Sequence, residues 1–183
     1  MIFDEFFEEV SDFIYGANVR SSLENIFQEV EKIRASDGTI FFFGNGASAA
    51  IASHCAIDFL KQGKVRTDTV HDPAVLTALG NDYGFESVFS KYLEMKASDN
   101  DLCVFISVSG NSENIKRGLS KAKELGMTTI GLSGQSSTNF LNCNADLTLH
   151  VPSDAYNVCE GIHMLWITSV CDALVGRIRY AVS

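Results

Sequence analysis

Twice in this chain a short apolar run breaks at a turn of small residues and passes into a helical pattern. That recurrence restricts the fold more than any other feature. Ile40-Phe41-Phe42-Phe43 reads as a buried strand, Gly44-Asn45-Gly46 as the turn, and Ala47 to Leu60 as a helix. Leu102-Cys103-Val104-Phe105-Ile106 is the clearest buried strand; Ser107-Val108-Ser109-Gly110-Asn111-Ser112 follows, and a helix runs from Ser112 to Leu125. Further strands are expected at Arg66–Val70, Met127–Leu132 and Leu147–Val151, with helices over Ala74–Leu79 and residues 86–96. Strands alternating with helices imply a parallel sheet covered on both faces. In such a fold ligands collect beyond the carboxyl ends of the strands, which is where both turns lie.

The turns are built to hold an anion. Glycines let backbone approach a phosphate, and the first N–H groups of a helix point at it. Ser48, Ser107, Ser109 and Ser112 add hydroxyls, so a phosphate dianion is held without a lysine. Serine also favours turns and helix caps for purely local reasons, so the recurrence of the unit carries more weight than either copy. Two i,i+3 or i,i+4 pairs stand nearby in the pattern: His54 with Asp58, and Glu160 with His163.

Bulk properties narrow the partners. A chain of 183 residues suits one domain, read here as helices over 1–36 and an α/β core over 37–183. A formal charge of −9 and a pI near 4.8 argue against a general nucleic-acid or anionic-membrane surface. No apolar run is expected to span a membrane, the N-terminus lacks a basic signal-peptide region, and the five cysteines are scattered, so a cytoplasmic protein is expected. Before the first strand, Ile2, Phe3, Phe6, Val10 and Phe13 form one helical stripe, and a second helix is expected over Ser21–Ala35. The last helix, Tyr156–Tyr180, is apolar over so much of its circumference that burial between subunits is the natural reading.

Four ordered blocks resemble the sugar isomerase (SIS) domain family, in its phosphoheptose isomerase branch. They are Gly44-Asn45-Gly46-Ala47-Ser48 with His54 and Asp58, Leu79-Gly80-Asn81-Asp82-Tyr83-Gly84-Phe85, Ser107 to Ser112, and Glu160-Gly161-Ile162-His163. The resemblance implies a three-layer α/β/α sandwich with a five-stranded parallel sheet, flavodoxin-like and preceded by N-terminal helices. It also implies a homotetramer with sites at subunit interfaces, and isomerisation of sedoheptulose 7-phosphate to D-glycero-D-manno-heptose 7-phosphate for surface heptose (lipopolysaccharide or capsule) synthesis. By position, Ser48, Ser107, Ser109 and Ser112 match the family's phosphate-binding residues, and Asn45, Gly46 and Asp82 are further candidates for binding substrate or phosphate. Asp58 stands where the family has a catalytic glutamate, and Glu160 where it has a site glutamine. The family's second proton-transfer histidine falls on Thr168, so His163 is the nearest replacement.

Isomerisation through an enediol needs a base and an acid–base partner. Asp58 is expected to be the base and His163 the partner, with Glu160 orienting one of them. A variant gathers His54, Asp58, Glu160 and His163 around zinc to polarise the sugar carbonyl. Two other readings stay open: a non-catalytic SIS protein that binds the DnaA initiator, or a sugar-phosphate sensor.

Overall fold

The computed structural model describes residues 1–179. The helices are α1 (Ile2–Ile14), α2 (Ala17–Ala35), α3 (Ala47–Lys61), α4 (Pro73–Tyr83), α5 (Val88–Lys96), α6 (Glu113–Glu124), α7 (Phe140–Asn144) and α8 (Tyr156–Val175). The strands are β1 (Thr39–Gly44), β2 (Arg66–Asp68), β3 (Leu102–Ser107), β4 (Thr128–Ser133) and β5 (Leu147–His150). They pair in parallel in the order β2-β1-β3-β4-β5. The expected five-stranded parallel sheet between helical layers is therefore what forms.

Strand alternation builds the two cores. Ile40 and Phe42 of β1 and Val104 and Ile106 of β3 face α2, α3 and α8. Phe41, Phe43, Cys103 and Phe105 face the layer of α4 to α7. Successive strand residues point to opposite faces, so a run apolar at every position serves a sheet covered on both sides. Phe43 stacks on Phe89 with ring centroids 4.8 Å apart, joining β1 to α5. From β1 the chain crosses to β2 on one side and then to β3 on the other. The crevice of a doubly wound sheet opens at that reversal, beyond the ends of β1 and β3.

Several boundaries differ from the pattern in the sequence. Helix α2 begins four residues before Ser21, and α4 runs through Gly80 to Tyr83 rather than ending at Leu79. Asp72 caps α4 by accepting from the Ala74 and Val75 N–H groups, so the helix starts firmly enough to carry a glycine. Helix α7, unmarked by periodicity, is one short turn capped by Asn139. Helix α8 stops at Gly176, whose left-handed backbone (φ 77°) closes it before Tyr180, which lies outside the described residues.

Contrary to the expectation of no membrane-length run, α8 is long and apolar enough to cross a bilayer by length and composition. Its Ile162, Trp166, Ile167, Val170 and Leu174 are instead buried against the sheet and neighbouring helices. Leu165 remains exposed. Helix α1 rests Phe6, Val10 and Phe13 on the same core but exposes Ile2 and Phe3, so its apolar stripe is only partly covered.

Candidate active site

A cavity of about 100 Å³ opens at the crevice and is lined by Asn45, Ser48, Ser107, Ser109, Ser112, Tyr156 and Glu160. Local chain geometry places these groups. A Cβ on Gly44 would lie 2.6 Å from the backbone C and O atoms of Ser48. Glycine there lets α3 start directly against the end of β1. Gly46 adopts φ 56°, and Ser48 is buried in the first turn of α3. His71 supports this loop from the protein side: its Nε2 lies 3.2 Å from the Gly44 carbonyl and its Nδ1 2.9 Å from the Ser53 hydroxyl. Burial lowers the His71 pKa, so the ring is neutral, with Nε2–H donating to Gly44.

In the second loop, Ser107 Oγ accepts from the Gly110 N–H (3.2 Å) and Ser109 Oγ accepts from the Asn111 N–H (3.3 Å). Each hydroxyl thereby keeps its own proton for an acceptor in the cavity. Ser112 occupies the N-cap of α6 without a side-chain capping bond, so its hydroxyl is not used by the helix. Among the described residues neither Lys nor Arg lines the cavity. An anion placed there would meet hydroxyls and a helix N-terminus. Glu160 contributes a carboxyl whose pKa is raised by burial.

Sequence reasoning did not single out Asn114, Tyr156 or His71 as site groups. Asn114 is 3% exposed and exchanges two hydrogen bonds with Asn45: Asn45 Nδ2 donates to Asn114 Oδ1 at 3.0 Å, and Asn114 Nδ2 donates to Asn45 Oδ1 at 2.8 Å. A polar residue in the first turn of an amphipathic helix ordinarily reads as solvated, and only the neighbouring strand order brings it to Asn45.

The remaining expected residues lie elsewhere in the chain. His54 Nε2 and Asp58 Oδ2 pair at 3.1 Å on a partly exposed face of α3. Asp58 follows Ser48 by ten residues, about 15 Å along a helix axis. Neither lines the cavity of its own chain, and Asp82, exposed and accepting from Asn81 Nδ2, does not line it either. His163 departs most from its expected role. It is fully buried, with Nε2–H donating to the Ser133 carbonyl at 3.0 Å and Nδ1 unpartnered. Burial lowers its pKa to about 4, and it does not face the cavity. Its i,i+3 relation to Glu160 carries it around α8 onto the core side.

The four residues considered for zinc are not brought together within one chain. Among the described residues no three His, Cys, Asp or Glu side chains converge, so His54, Asp58, Glu160 and His163 do not form a four-ligand site within one chain. Thr168, at the family's histidine position, donates its hydroxyl to the Met164 carbonyl of its own helix at 2.7 Å.

The fold and the serine-lined crevice define a SIS-domain protein, and residues 5–134 match the SIS domain family. Within that class the chain belongs to the phosphoheptose isomerase family. It is 34% identical to a phosphoheptose isomerase of Campylobacter concisus over 95% of both chains. With one from Campylobacter jejuni it shares 38% identity over 75% of this chain and 76% of the relative. The structure of a Neisseria gonorrhoeae phosphoheptose isomerase superposes with a TM-score of 0.82 at 30% identity, covering 94% of this chain and 92% of the other. That of a Francisella tularensis phosphoheptose isomerase gives 0.86 at 26% identity, covering 96% and 95%.

Proposed function

We propose that the chain is an aldose–ketose isomerase that converts sedoheptulose 7-phosphate to D-glycero-D-manno-heptose 7-phosphate. The observation that carries the reading is the cavity of neutral donors formed by Ser48, Ser107, Ser109 and Ser112 in a chain of this family. The phosphate sits among those hydroxyls and the N-terminus of α6, with the sugar extending toward Glu160. A carboxylate base removes a proton from C1 of the ketose, giving an enediolate. One proton passes from O1 to O2 and another is returned to C2, which completes the aldose. General acid and base groups of this kind each contribute about 10²–10⁴ in rate.

Asp58 is the base in this reading, supplied by a neighbouring copy because it does not line its own chain's cavity. A homotetramer meets that need. Ile57 and Leu60 are about half exposed beside Asp58 on α3, and Leu165 is equally exposed on α8. Such residues are suited to contact with another subunit. Glu160, held toward its protonated form by burial, takes the acid–base role first assigned to His163. Among the described residues of one chain no three zinc-type ligands converge. Buried free thiols at Cys55, Cys103, Cys159 and Cys171 suit the cytoplasm. Product would enter surface-heptose synthesis.

Proton NMR with sedoheptulose 7-phosphate tests the reading. An aldoheptose anomeric signal that Asp58→Asn abolishes is expected. Absence of turnover by the parent protein, with phosphate binding intact, favours the sugar-phosphate sensor instead.

A further inference from the structure

The parallel ladder between β1 and β3 ends at the pairing of Gly44 with Ile106. Beyond it the two strands diverge into the loops that supply the cavity serines. The Asn45–Asn114 pair stands just past that point and bridges the β1–α3 loop to the first turn of α6. We propose that Asn114 is a positioning residue, which holds the Asn45 amide and the two anion-binding loops in register for a phosphorylated ligand. The inference rests on the isomerase reading for its substrate, but its geometry concerns the phosphate cavity alone.

Three features support it. The pair is reciprocal, each amide giving one N–H and accepting another, an arrangement that fixes the orientation of both planes. Asn114 Oδ1 also accepts from the Ile115 N–H at 3.0 Å, so the amide is tied to the helix end at which an anion would bind. Asn45 is the member that lines the cavity, and after pairing it retains one N–H, a donor available to ligand. Burying Asn114 merely to fill space would favour an apolar side chain, because a buried amide must replace its lost water contacts. Asn114 is not among the residues that line the cavity and acts through Asn45.

A double-mutant cycle over Asn45→Ala, Asn114→Ala and the double variant tests this, with Asn114→Asp as a fourth chain. Inorganic phosphate binding is followed by ³¹P NMR line broadening and KM and kcat by the heptose assay, with circular dichroism and Tm confirming folding. The Kd for phosphate and the KM are expected to rise about 10-fold in each single variant, with kcat changed less. The double variant should be no worse than either single one, because contacting groups are non-additive. Asn114→Asp should weaken phosphate binding further, since it removes the donor to Asn45 Oδ1 and places a carboxylate behind the cavity. Folded Asn114→Ala with parental Kd, or strictly additive losses, would overturn the inference. So would a parent chain that binds no phosphate. Phosphate binding with a non-additive cycle but no heptose turnover would uphold the positioning role while removing the isomerase reading.

Discussion

His163 offers the sharpest thermodynamic test of how the site-bearing layers are built. Its imidazole is fully buried between α8 and β4, and burial lowers its pKa from an ordinary 6.5 to about 4. The Ser133 carbonyl offsets part of that effect and nearby His150 adds to it. Between these two pKa values the unfolded chain holds a proton that the folded chain does not, so stability rises with pH through this window. The stability is fully present above pH 6.5 and is lost as pH falls toward 4. At about 1.4 kcal/mol per pH unit, the loss assignable to this ring is about 3 kcal/mol. Urea unfolding at fixed protomer concentration, in steps from pH 8 to pH 4, measures it. In His163→Gln the amide replaces the donor to Ser133, and this part of the acid destabilisation should vanish. His71 and His150, whose pKa values are also lowered, titrate in both proteins and largely cancel in the difference. Parallel curves for parent and variant, differing by under about 0.5 kcal/mol across the range, would refute the reasoning. So would an NMR titration of His163 near 6.5.

Other consequences follow from the cavity and its loops. Glu160 lines the phosphate cavity with a raised pKa, so phosphate affinity should fall as pH rises through that value, above the ordinary 4.5. Glu160→Gln should weaken this dependence in a calorimetric titration while lowering kcat by about 10²-fold or more through loss of the acid. Gly110 adopts φ 60°, and a Cβ there would run into the Asn139 side chain, itself fixed by bonds to Gly134, Ser136 and Asn142. Gly110→Ala should cost about 2–5 kcal/mol and lower Tm by about 5–15 °C in a thermal melt. Ser109→Ala removes a hydroxyl without disturbing the sheet, and should raise KM about 10-fold while leaving Tm within about 2 °C.

Much of the fold was legible because both faces of the sheet are covered. Ile40 to Phe43 and Leu102 to Ile106 are apolar at every position, and only a covered parallel sheet buries both registers. The candidate anion loops were legible because the glycine- and serine-bearing strand–helix junction occurs twice in the chain, at Gly44–Ser48 and Ser107–Ser112. What the sequence concealed depended on helix phase and on elements far apart in the chain. Glu160 and His163 share a side of α8 by spacing, yet a three-residue step was enough to turn one to the cavity and the other into the core. His54 and Asp58 paired as expected, but distance along α3 separates them from Ser48's cavity. Asn114 and His71 were missed because their partners, Asn45 and Gly44, are 69 and 27 residues away.

The central claim is that this cavity serves an enediol isomerisation of a phosphorylated ketose. The most direct measurement is the conversion of sedoheptulose 7-phosphate by the purified protein in D₂O, followed by proton NMR. The account predicts an aldoheptose 7-phosphate carrying solvent deuterium at C2, with its formation suppressed by inorganic phosphate. An aldose formed without any deuterium would contradict a solvent-exchanging enediol, and no aldose at all from a folded, phosphate-binding protein would contradict the isomerase assignment itself.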